Sequence, residues 1–121
     1  MLVITHGEWV RVLLIEDNEG FAWAVREAFL TDAQVTVATC LAEADAVLHQ
    51  EFDLALSDYD LPDGKGDAAV RKLLQRHPTL PVVAISSHAE GNAALRAAGA
   101  VATCAKAQFD QLDAVLRDLG L

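Results

Sequence analysis

Acidic residues cluster at two separate points of the chain, each directly after an apolar run. Glu16 and Asp17 follow the first run, and Asp58 and Asp60 follow a later one within the stretch SDYDLPDGKG. Carboxylates that come close together repel one another, which costs stability unless a cation offsets their charge. Mg²⁺ suits such a site because it prefers oxygen ligands, usually one or two carboxylates together with waters and phosphate oxygens. The two clusters therefore predict a magnesium site.

Two further polar residues follow apolar runs later in the chain. Ser86 comes after VVAI, and Lys106 comes after VATCA. A serine hydroxyl and a compact lysine ammonium can both bind the oxygens of a phosphoryl group. Each residue alone has a simpler explanation, since serine often caps a helix and lysine is usually a solvated surface charge. In combination with the acids, they indicate a site for phosphoryl chemistry.

The apolar runs alternate with amphipathic segments along the chain. Strands are predicted at 10–16, 33–39, 53–57, 81–86 and 100–105, and each is followed by a segment with helical periodicity. Five such units predict an α/β fold with a parallel sheet covered by helices on both faces, because each parallel crossover needs a helix to return the chain. Ligands of such open sheets bind beyond the carboxyl ends of the strands. The acids, Ser86 and Lys106 are therefore expected on one rim of the sheet.

The helices are predicted from apolar stripes and end signals. Asn18 is the expected N-cap of the first helix, and the second covers LAEADAVLHQ, residues 41–50. The fourth helix is expected to be short, over NAALRAAG with Gly99 at its end. The last carries an apolar stripe that begins at Phe109 and stops before Gly120.

Composition limits the classes of function. The chain has 121 residues, 53% of them hydrophobic, which suits one ordinary domain with its own core. The net charge of −9 disfavours a nucleic-acid partner and favours a protein or metal partner. No apolar run reaches the roughly 18 residues of a membrane span, and residues 1–9 lack signal-peptide features, so we expect no membrane partner and a cytoplasmic location. Cys40 and Cys104 lack metal-ligand spacing and are expected to be free, buried side chains.

The order and spacing of these residues resemble the receiver domain of bacterial response regulators. An acidic pair follows the first strand, Asp58 ends the third, Pro62 and Gly66 come four and eight residues later, and then Ser86 and Lys106 follow. The resemblance covers essentially residues 10 to 120, so we expect a short leader at 1–9 and a receiver domain at 10–121. It implies a flavodoxin-like (βα)₅ doubly wound sheet with strand order 2-1-3-4-5.

The resemblance also implies roles for the site residues. Asp58 would accept a phosphoryl group from a histidine kinase or histidine phosphotransfer protein, and Lys106 and Ser86 would bind the phosphoryl oxygens. Asp17, Asp58 and the backbone carbonyl of Asp60 would hold Mg²⁺, with Glu16 acting directly or through water. Pro62 and Gly64 would shape the loop after the third strand. The protein would then be a signalling phosphoacceptor, not an enzyme with a separate substrate, and its output would be a contact with another protein.

The sequence departs from the family at two positions near the site. Thr103 stands where the family has an aromatic residue that rotates on phosphorylation, so we expect an altered readout. Ala107 stands where the family usually has a proline joined to the lysine by a cis bond. A cis bond before alanine costs about 3 kcal/mol or more, so a trans Lys106–Ala107 bond is expected. The span from Ser86 to Gly99 is also slightly short for the family, which predicts a reduced fourth helix or loop.

Three other functions use part of the same residues. A haloacid-dehalogenase-like phosphatase would use Asp58 and Asp60 as its DxD pair, but that family places the pair on its first strand. A toprim-like domain would bind Mg²⁺ through Glu16, Asp58 and Asp60 for nucleotidyl transfer, which leaves Lys106 and Ser86 without a role and suits the net charge poorly. A receiver-like interaction module that is never phosphorylated is the third alternative.

Overall fold

Residues 10–120 are described by the computed structural model, and the predicted leader at 1–9 lies outside this range. The strands, in chain order, are β1 (Val10–Ile15), β2 (Ala33–Ala38), β3 (Leu54–Ser57), β4 (Asp60–Leu61), β5 (Gly64–Lys65), β6 (Val82–Ser86) and β7 (Ala102–Ala105). The helices are α1 (Glu19–Phe29), α2 (Leu41–Ala46), α3 (Gly66–Arg76), α4 (Ala89–Ala97) and α5 (Leu112–Asp118). A 3₁₀ helix over Lys106–Gln111 leads directly into α5.

The five long strands form one parallel sheet in the order β2-β1-β3-β6-β7. This is the predicted order 2-1-3-4-5, because β4 and β5 pair only with each other as a separate antiparallel hairpin. The flavodoxin-like fold is therefore confirmed. The strand order reverses at β1 and β3, and the crevice beyond their carboxyl ends is where this type of sheet binds ligands.

The sheet is covered by helices on both faces, as the apolar strands predict. Val12 and Leu14 of β1 lie in one core cluster with side chains from α1 and α5. Leu13 and Ile15 lie in a second cluster with side chains from α2, α3 and α4. All four are fully buried. Burying one such aliphatic side chain contributes about 1.5–3 kcal/mol, so β1 is stabilised by packing on both faces of the sheet.

The first helix forms as its sequence predicts. The Asn18 side chain accepts a hydrogen bond of 2.8 Å from the Phe21 N–H, which confirms the predicted N-cap. Ala22 and Val25 are three residues apart and are both buried against the sheet. The cap fixes the start of α1 directly after the acidic pair of β1.

Three helices differ from their predicted bounds. The second ends at Ala46 and not at residue 50, because the following turns tighten to hydrogen bonds three residues apart, as in Val47 N–H to Ala44 O. The fourth begins at Ala89, earlier than expected, and ends before Gly99, whose φ of +124° stops it. The last predicted helix is divided, since Phe109 lies in the 3₁₀ helix and α5 starts only at Leu112. An apolar stripe alone does not distinguish the 3₁₀ segment from an α-helix.

The structure also bears on the expected Lys106–Ala107 peptide bond, the two cysteines, membrane spans and the length of the fourth helix. No cis peptide bond occurs in residues 10–120, so Lys106–Ala107 is trans, as predicted. Both cysteines are free, with Cys104 buried and Cys40 half-buried. None of the helices in this range has the length and apolar character that crossing a membrane requires. The fourth helix has nine residues against eleven in α1 and α3, and its shortness relative to the family remains a prediction.

Candidate functional site

The pairing of β1 with β3 brings the two acidic clusters together. Ile15 lies opposite Ser57 in the parallel register, so the next residues, Glu16 and Asp58, leave the sheet side by side. The Asp58 N–H donates to the Ile15 carbonyl over 2.9 Å, which extends the ladder to the acid itself. Both side chains are almost fully buried, which is unusual for carboxylates without a cationic partner.

Lys106 supplies that partner from the end of β7. Its Nζ lies 2.8 Å from Glu16 Oε1 and 3.0 Å from Asp58 Oδ2. The ammonium also lies over the ring of Phe21, 4.7 Å from its centroid. Phe21 is held in turn by an edge-to-face contact with Phe109. Packing from α1 and the 3₁₀ helix therefore orients the lysine toward the two carboxylates.

The pKa values of Glu16 and Lys106 each depend on the charge of the other residue. Burial raises the pKa of Glu16, although its contacts with Lys106 and the Asn18 N–H oppose that effect. Burial alone would lower the pKa of Lys106, but its hydrogen bonds to Glu16 and Asp58 outweigh burial and raise that pKa. The lysine is therefore firmly cationic at neutral pH.

Three carboxylates at the rim could hold a metal ion together. Glu16, Asp17 and Asp58 each offer an oxygen, and these three atoms lie within 4.8 Å of one another. Glu16 and Asp58 are buried, whereas Asp17 is exposed and open to solvent. Hard carboxylate oxygens in this number, with one side open to water, fit the preferences of Mg²⁺.

The backbone around Asp58 is tightly fixed. The Tyr59 N–H donates to Asp58 Oδ1 over 2.7 Å, which leaves Oδ2 toward Lys106. The Ser57 hydroxyl donates to the Asp58 carbonyl, and the Gly66 N–H donates to the Tyr59 carbonyl. A Cβ on Gly66 would lie 1.9 Å from the Asp58 carbonyl oxygen, so only glycine allows α3 to start this close to the site.

The loop predicted after the third strand is a short hairpin, β4–β5. The side chain of Asp60 forms an ion pair with Lys65, and Pro62 is exposed at the turn. Gly64 has a φ of +151° and lies against Leu41, where a side chain would collide. The Asp63 carboxylate accepts hydrogen bonds from the N–H groups at the start of α2. The loop is therefore fastened to the neighbouring helix.

Ser86 lies at the end of β6, buried and close to Tyr59. Its Oγ accepts a hydrogen bond of 3.2 Å from the His88 N–H and makes no hydrogen bond with Asp58. A Cβ on Gly91 would lie 2.4 Å from this Oγ and 2.9 Å from Tyr59 Cβ. Glycine at this point of α4 therefore leaves room for the serine hydroxyl and the tyrosine to pack together.

Thr103 lies apart from the acidic cluster. It is exposed on β7, the edge strand of the sheet, and lines an open groove between α4 and the segment that leads into α5. The structure thus places Glu16, Asp17, Asp58 and Lys106 together, Ser86 on the adjoining strand end, and Thr103 on the neighbouring surface.

Sequence reasoning missed two contributors. The ring of Phe21, in the first turn of α1, contacts the Lys106 ammonium, and no sequence signal connects these two residues. Asp63 was passed over, although an aspartate in a turn is a common acceptor for free helix N–H groups. Nothing in the sequence itself links Asp63 to a helix more than twenty residues earlier.

Comparison with known proteins gives the same family as the motif. Residues 12–117 match the model of the response regulator receiver domain. The DNA-binding transcriptional regulator NtrC of Escherichia coli (strain K12) is 32% identical over 89 residues, which cover 71% of this chain and 19% of NtrC. The sensor protein TorS of the same organism is 37% identical over 82 residues, which cover 65% of this chain and 9% of TorS. The chain thus spans less than a fifth of these relatives.

Solved structures share the fold over nearly the whole chain. A CheY-like receiver domain protein from Methanospirillum hungatei JF-1 has a TM-score of 0.80 at 24% identity, covering 93% of this chain and 95% of its own. The non-phosphorylated HemR receiver domain from Leptospira biflexa has a TM-score of 0.78 at 26% identity, with the same coverage. With the family model matched across almost all of the described residues, the chain belongs to the response regulator receiver domains of two-component signal transduction.

Proposed function

We propose that this receiver domain, over residues 10–121, accepts a phosphoryl group on Asp58 from the phosphohistidine of a histidine kinase or histidine phosphotransfer protein. The observation that carries the proposal is the position of Lys106, whose ammonium lies within 3.0 Å of both Asp58 and Glu16. A fixed cation beside a carboxylate nucleophile suits the transfer of a highly charged phosphoryl group. The protein acts only on itself, as a signalling phosphoacceptor.

The residues present fit Mg²⁺ as the cofactor. The carboxylates of Glu16, Asp17 and Asp58 offer oxygens within 4.8 Å of one another. The backbone carbonyl of Asp60 would be a further ligand of the ion. A bound Mg²⁺ would supply positive charge to offset that of the phosphoryl oxygens. The exposed position of Asp17 leaves the site open to the donor.

The transfer itself exchanges one bond to phosphorus for another. A carboxylate oxygen of Asp58 attacks the phosphorus, a P–O bond forms, and the P–N bond of the phosphohistidine breaks with its electron pair staying on the imidazole. The Tyr59 N–H orients the carboxylate, and Lys106 binds a phosphoryl oxygen. The Ser86 hydroxyl, held now by the His88 N–H, turns to bind a second oxygen.

The phosphorylated state then alters a contact with another protein. The hydrogen bond from the His88 N–H to the Ser86 hydroxyl supports this step. Movement of that hydroxyl toward the phosphoryl group would act on His88, which directly precedes α4. We propose a bacterial cytoplasmic setting, in which a histidine kinase or phosphotransfer protein meets the acceptor. NtrC is a DNA-binding regulator, but the match spans a small part of it, and the net charge of −9 favours a protein as the direct partner here.

The test is the mass of the intact protein after incubation with acetyl phosphate, with and without Mg²⁺. The proposal expects one phosphoryl adduct that depends on Mg²⁺, is removed by hydroxylamine and is absent from Asp58→Asn. A phosphorylated histidine phosphotransfer protein should be used as a second donor. No adduct with either donor, from protein that retains its fold and binds Mg²⁺, would instead support an interaction module that is not phosphorylated.

A further inference from the structure

The Lys106 side chain needs support to keep its ammonium at one point, because the four-carbon stem of a lysine is flexible. The ammonium lies between Asp58 and Glu16, and 19% of the side chain is exposed. Glu16 is not a partner of this lysine alone, since it is also one of the three carboxylates that could hold a metal ion. A further contact is therefore needed to hold the ammonium against Asp58.

The ring of Phe21 provides such a contact. The Lys106 Nζ lies 4.7 Å from the ring centroid, within the roughly 6 Å over which the face of an aromatic ring attracts a cation. This attraction strengthens where water is excluded. The ring packs against the core cluster on its face of the sheet, and the lysine is mostly buried. The contact between them is therefore partly shielded from solvent.

Two features of the fold hold the ring itself in place. Phe21 lies in the first turn of α1, where its N–H donates to the Asn18 side chain over 2.8 Å. Phe109 contacts the ring edge to face, with the two centroids 5.8 Å apart. Phe109 also lies three residues after Lys106 in the same 3₁₀ helix. The element that carries the lysine thus also braces the ring that the lysine contacts.

We propose that Phe21 is a positioning residue for phosphoryl transfer, in which the face of its ring holds the Lys106 ammonium against Asp58. Phe21 acts through the lysine and not on the reacting atoms. Its contribution is largest when Glu16 serves as a metal ligand, because the ammonium is then held less strongly by that carboxylate. The effect on the rate rests on the proposed function of Asp58, whereas the contact between ring and ammonium does not.

Graded fluorination of Phe21 tests this role. Fluorine withdraws electron density from the ring and weakens its attraction for a cation, while the shape of the ring is nearly kept. Phenylalanine with one, two or three ring fluorines is incorporated at position 21, and adduct formation with acetyl phosphate and Mg²⁺ is followed by intact mass. The rate should fall stepwise with the number of fluorines, to a loss of about five-fold with three.

Phe29 provides the matched control. Its ring also contacts Phe109 edge to face, with centroids 6.0 Å apart, but no cation lies over it within residues 10–120. Three fluorines at position 29 should change the rate less than two-fold. A purely structural role of Phe21 would instead make the two positions respond alike.

Urea unfolding gives a second readout that needs no phosphorylation. Three fluorines on Phe21 should lower the urea midpoint of the wild type by more than that of Lys106→Met, in which no ammonium faces the ring. If the wild type forms no adduct with acetyl phosphate or with a phosphorylated histidine phosphotransfer protein, the phosphoacceptor role fails. The urea comparison then still decides whether the ring holds the lysine.

Three results would overturn the proposal. One is a phosphorylation rate that does not depend on the number of fluorines at position 21. Another is an equal loss of rate on fluorination at positions 21 and 29. The third is a shift in the urea midpoint that is the same in the wild type and in Lys106→Met.

Discussion

The Lys106 ammonium lies 3.0 Å from the Asp58 carboxylate, although the two residues are 48 positions apart in the sequence. The parallel sheet makes this contact possible, because β7 and β3 both end at the same rim. The same ammonium lies 2.8 Å from Glu16, so one cation holds two buried carboxylates that would otherwise repel each other. Lysine in this place serves both the stability of the resting site and the proposed phosphoryl transfer.

Replacement of Lys106 by methionine should slow phosphorylation without preventing metal binding. Loss of a preorganised positive group at a developing charge typically slows a reaction by about 10²-fold or more. Mg²⁺ should bind at least as tightly, because a competing cation has been removed from Glu16 and Asp58. Adduct formation followed by mass, and Mg²⁺ binding followed by calorimetry, measure the two effects.

Lys72→Met is the control for the lysine variant. Lys72 is exposed, and its one ion pair within residues 10–120 is with Asp45 on the surface, so its loss should leave both measurements unchanged. Wild-type phosphorylation rates in Lys106→Met would contradict the role given to this lysine.

Gly66→Ala should destabilise the fold and disturb the site. The new Cβ would lie 1.9 Å from the Asp58 carbonyl oxygen, so the backbone of either β3 or α3 must shift, at a cost of about 1–3 kcal/mol. Gly20→Ala in α1 is the matched control. A Cβ on Gly20 would lie 3.4 Å from its nearest neighbour, Asn18 Oδ1, and alanine is a better helix former than glycine. Urea unfolding of both variants tests the difference in stability, and equal free energies of unfolding would show that the first residue of α3 tolerates a side chain.

Asp63→Ala should destabilise α2, although Asp63 belongs to the hairpin. The carboxylate accepts the N–H of Leu41 over 2.7 Å and of Ala42 over 3.0 Å, and these bonds hold its pKa below the usual value. The pKa of Asp63 is lower in the folded protein than in the unfolded chain, where it is about 4, so the ionised carboxylate stabilises the fold fully above the unfolded pKa. This stabilisation is lost as the pH falls through the folded pKa. The variant should melt at a lower temperature than the wild type at pH 6. The difference between the two melting temperatures should shrink below pH 4.

The variant Glu51→Ala serves as the control for this pH series. Glu51 is exposed and forms no hydrogen bond or ion pair within residues 10–120, so its removal should shift the melting temperature little at any pH. A gap for Asp63→Ala that stays constant down to pH 3 would mean that its carboxylate does not cap α2.

Thr103→Tyr should affect partner binding more than phosphorylation. Thr103 is exposed in the open groove between α4 and the segment that leads into α5, and none of the acidic residues of the site lines that groove, so a larger side chain can enter the groove without reaching Asp58. The rate of adduct formation should remain within about two-fold of the wild type, while the affinity for a partner protein should change. Equal partner affinities for both proteins, in both phosphorylation states, would count against this separation.

The architecture followed from the sequence because each strand is a near-continuous apolar run and each run ends in polar residues. Given the parallel order of β1 and β3, the proximity of Glu16 to Asp58 is a geometric consequence. The β4–β5 hairpin was not predictable, since strands of two residues are too short to show a pattern.

Features that depend on tertiary packing were also missed. The position of Phe21 beneath Lys106 and the capping of α2 by Asp63 join residues that are distant in sequence, and neither has a local signal. The change from the 3₁₀ helix to α5 at Leu112 falls within an apolar stripe that continues without a break in the sequence. These contacts were decided by how the helices pack on the sheet.

Chemical location of the phosphoryl group tests most directly whether Asp58 is the phosphoacceptor. The protein is incubated with Mg²⁺ and acetyl phosphate, reduced with borohydride, which converts an aspartyl phosphate to homoserine, and mapped by tandem mass spectrometry. Phosphorylation of Asp58 should give homoserine at position 58 and unmodified aspartates at 17 and 60. Homoserine at another position, with residue 58 still aspartate, would contradict the assignment of Asp58 as the phosphoacceptor.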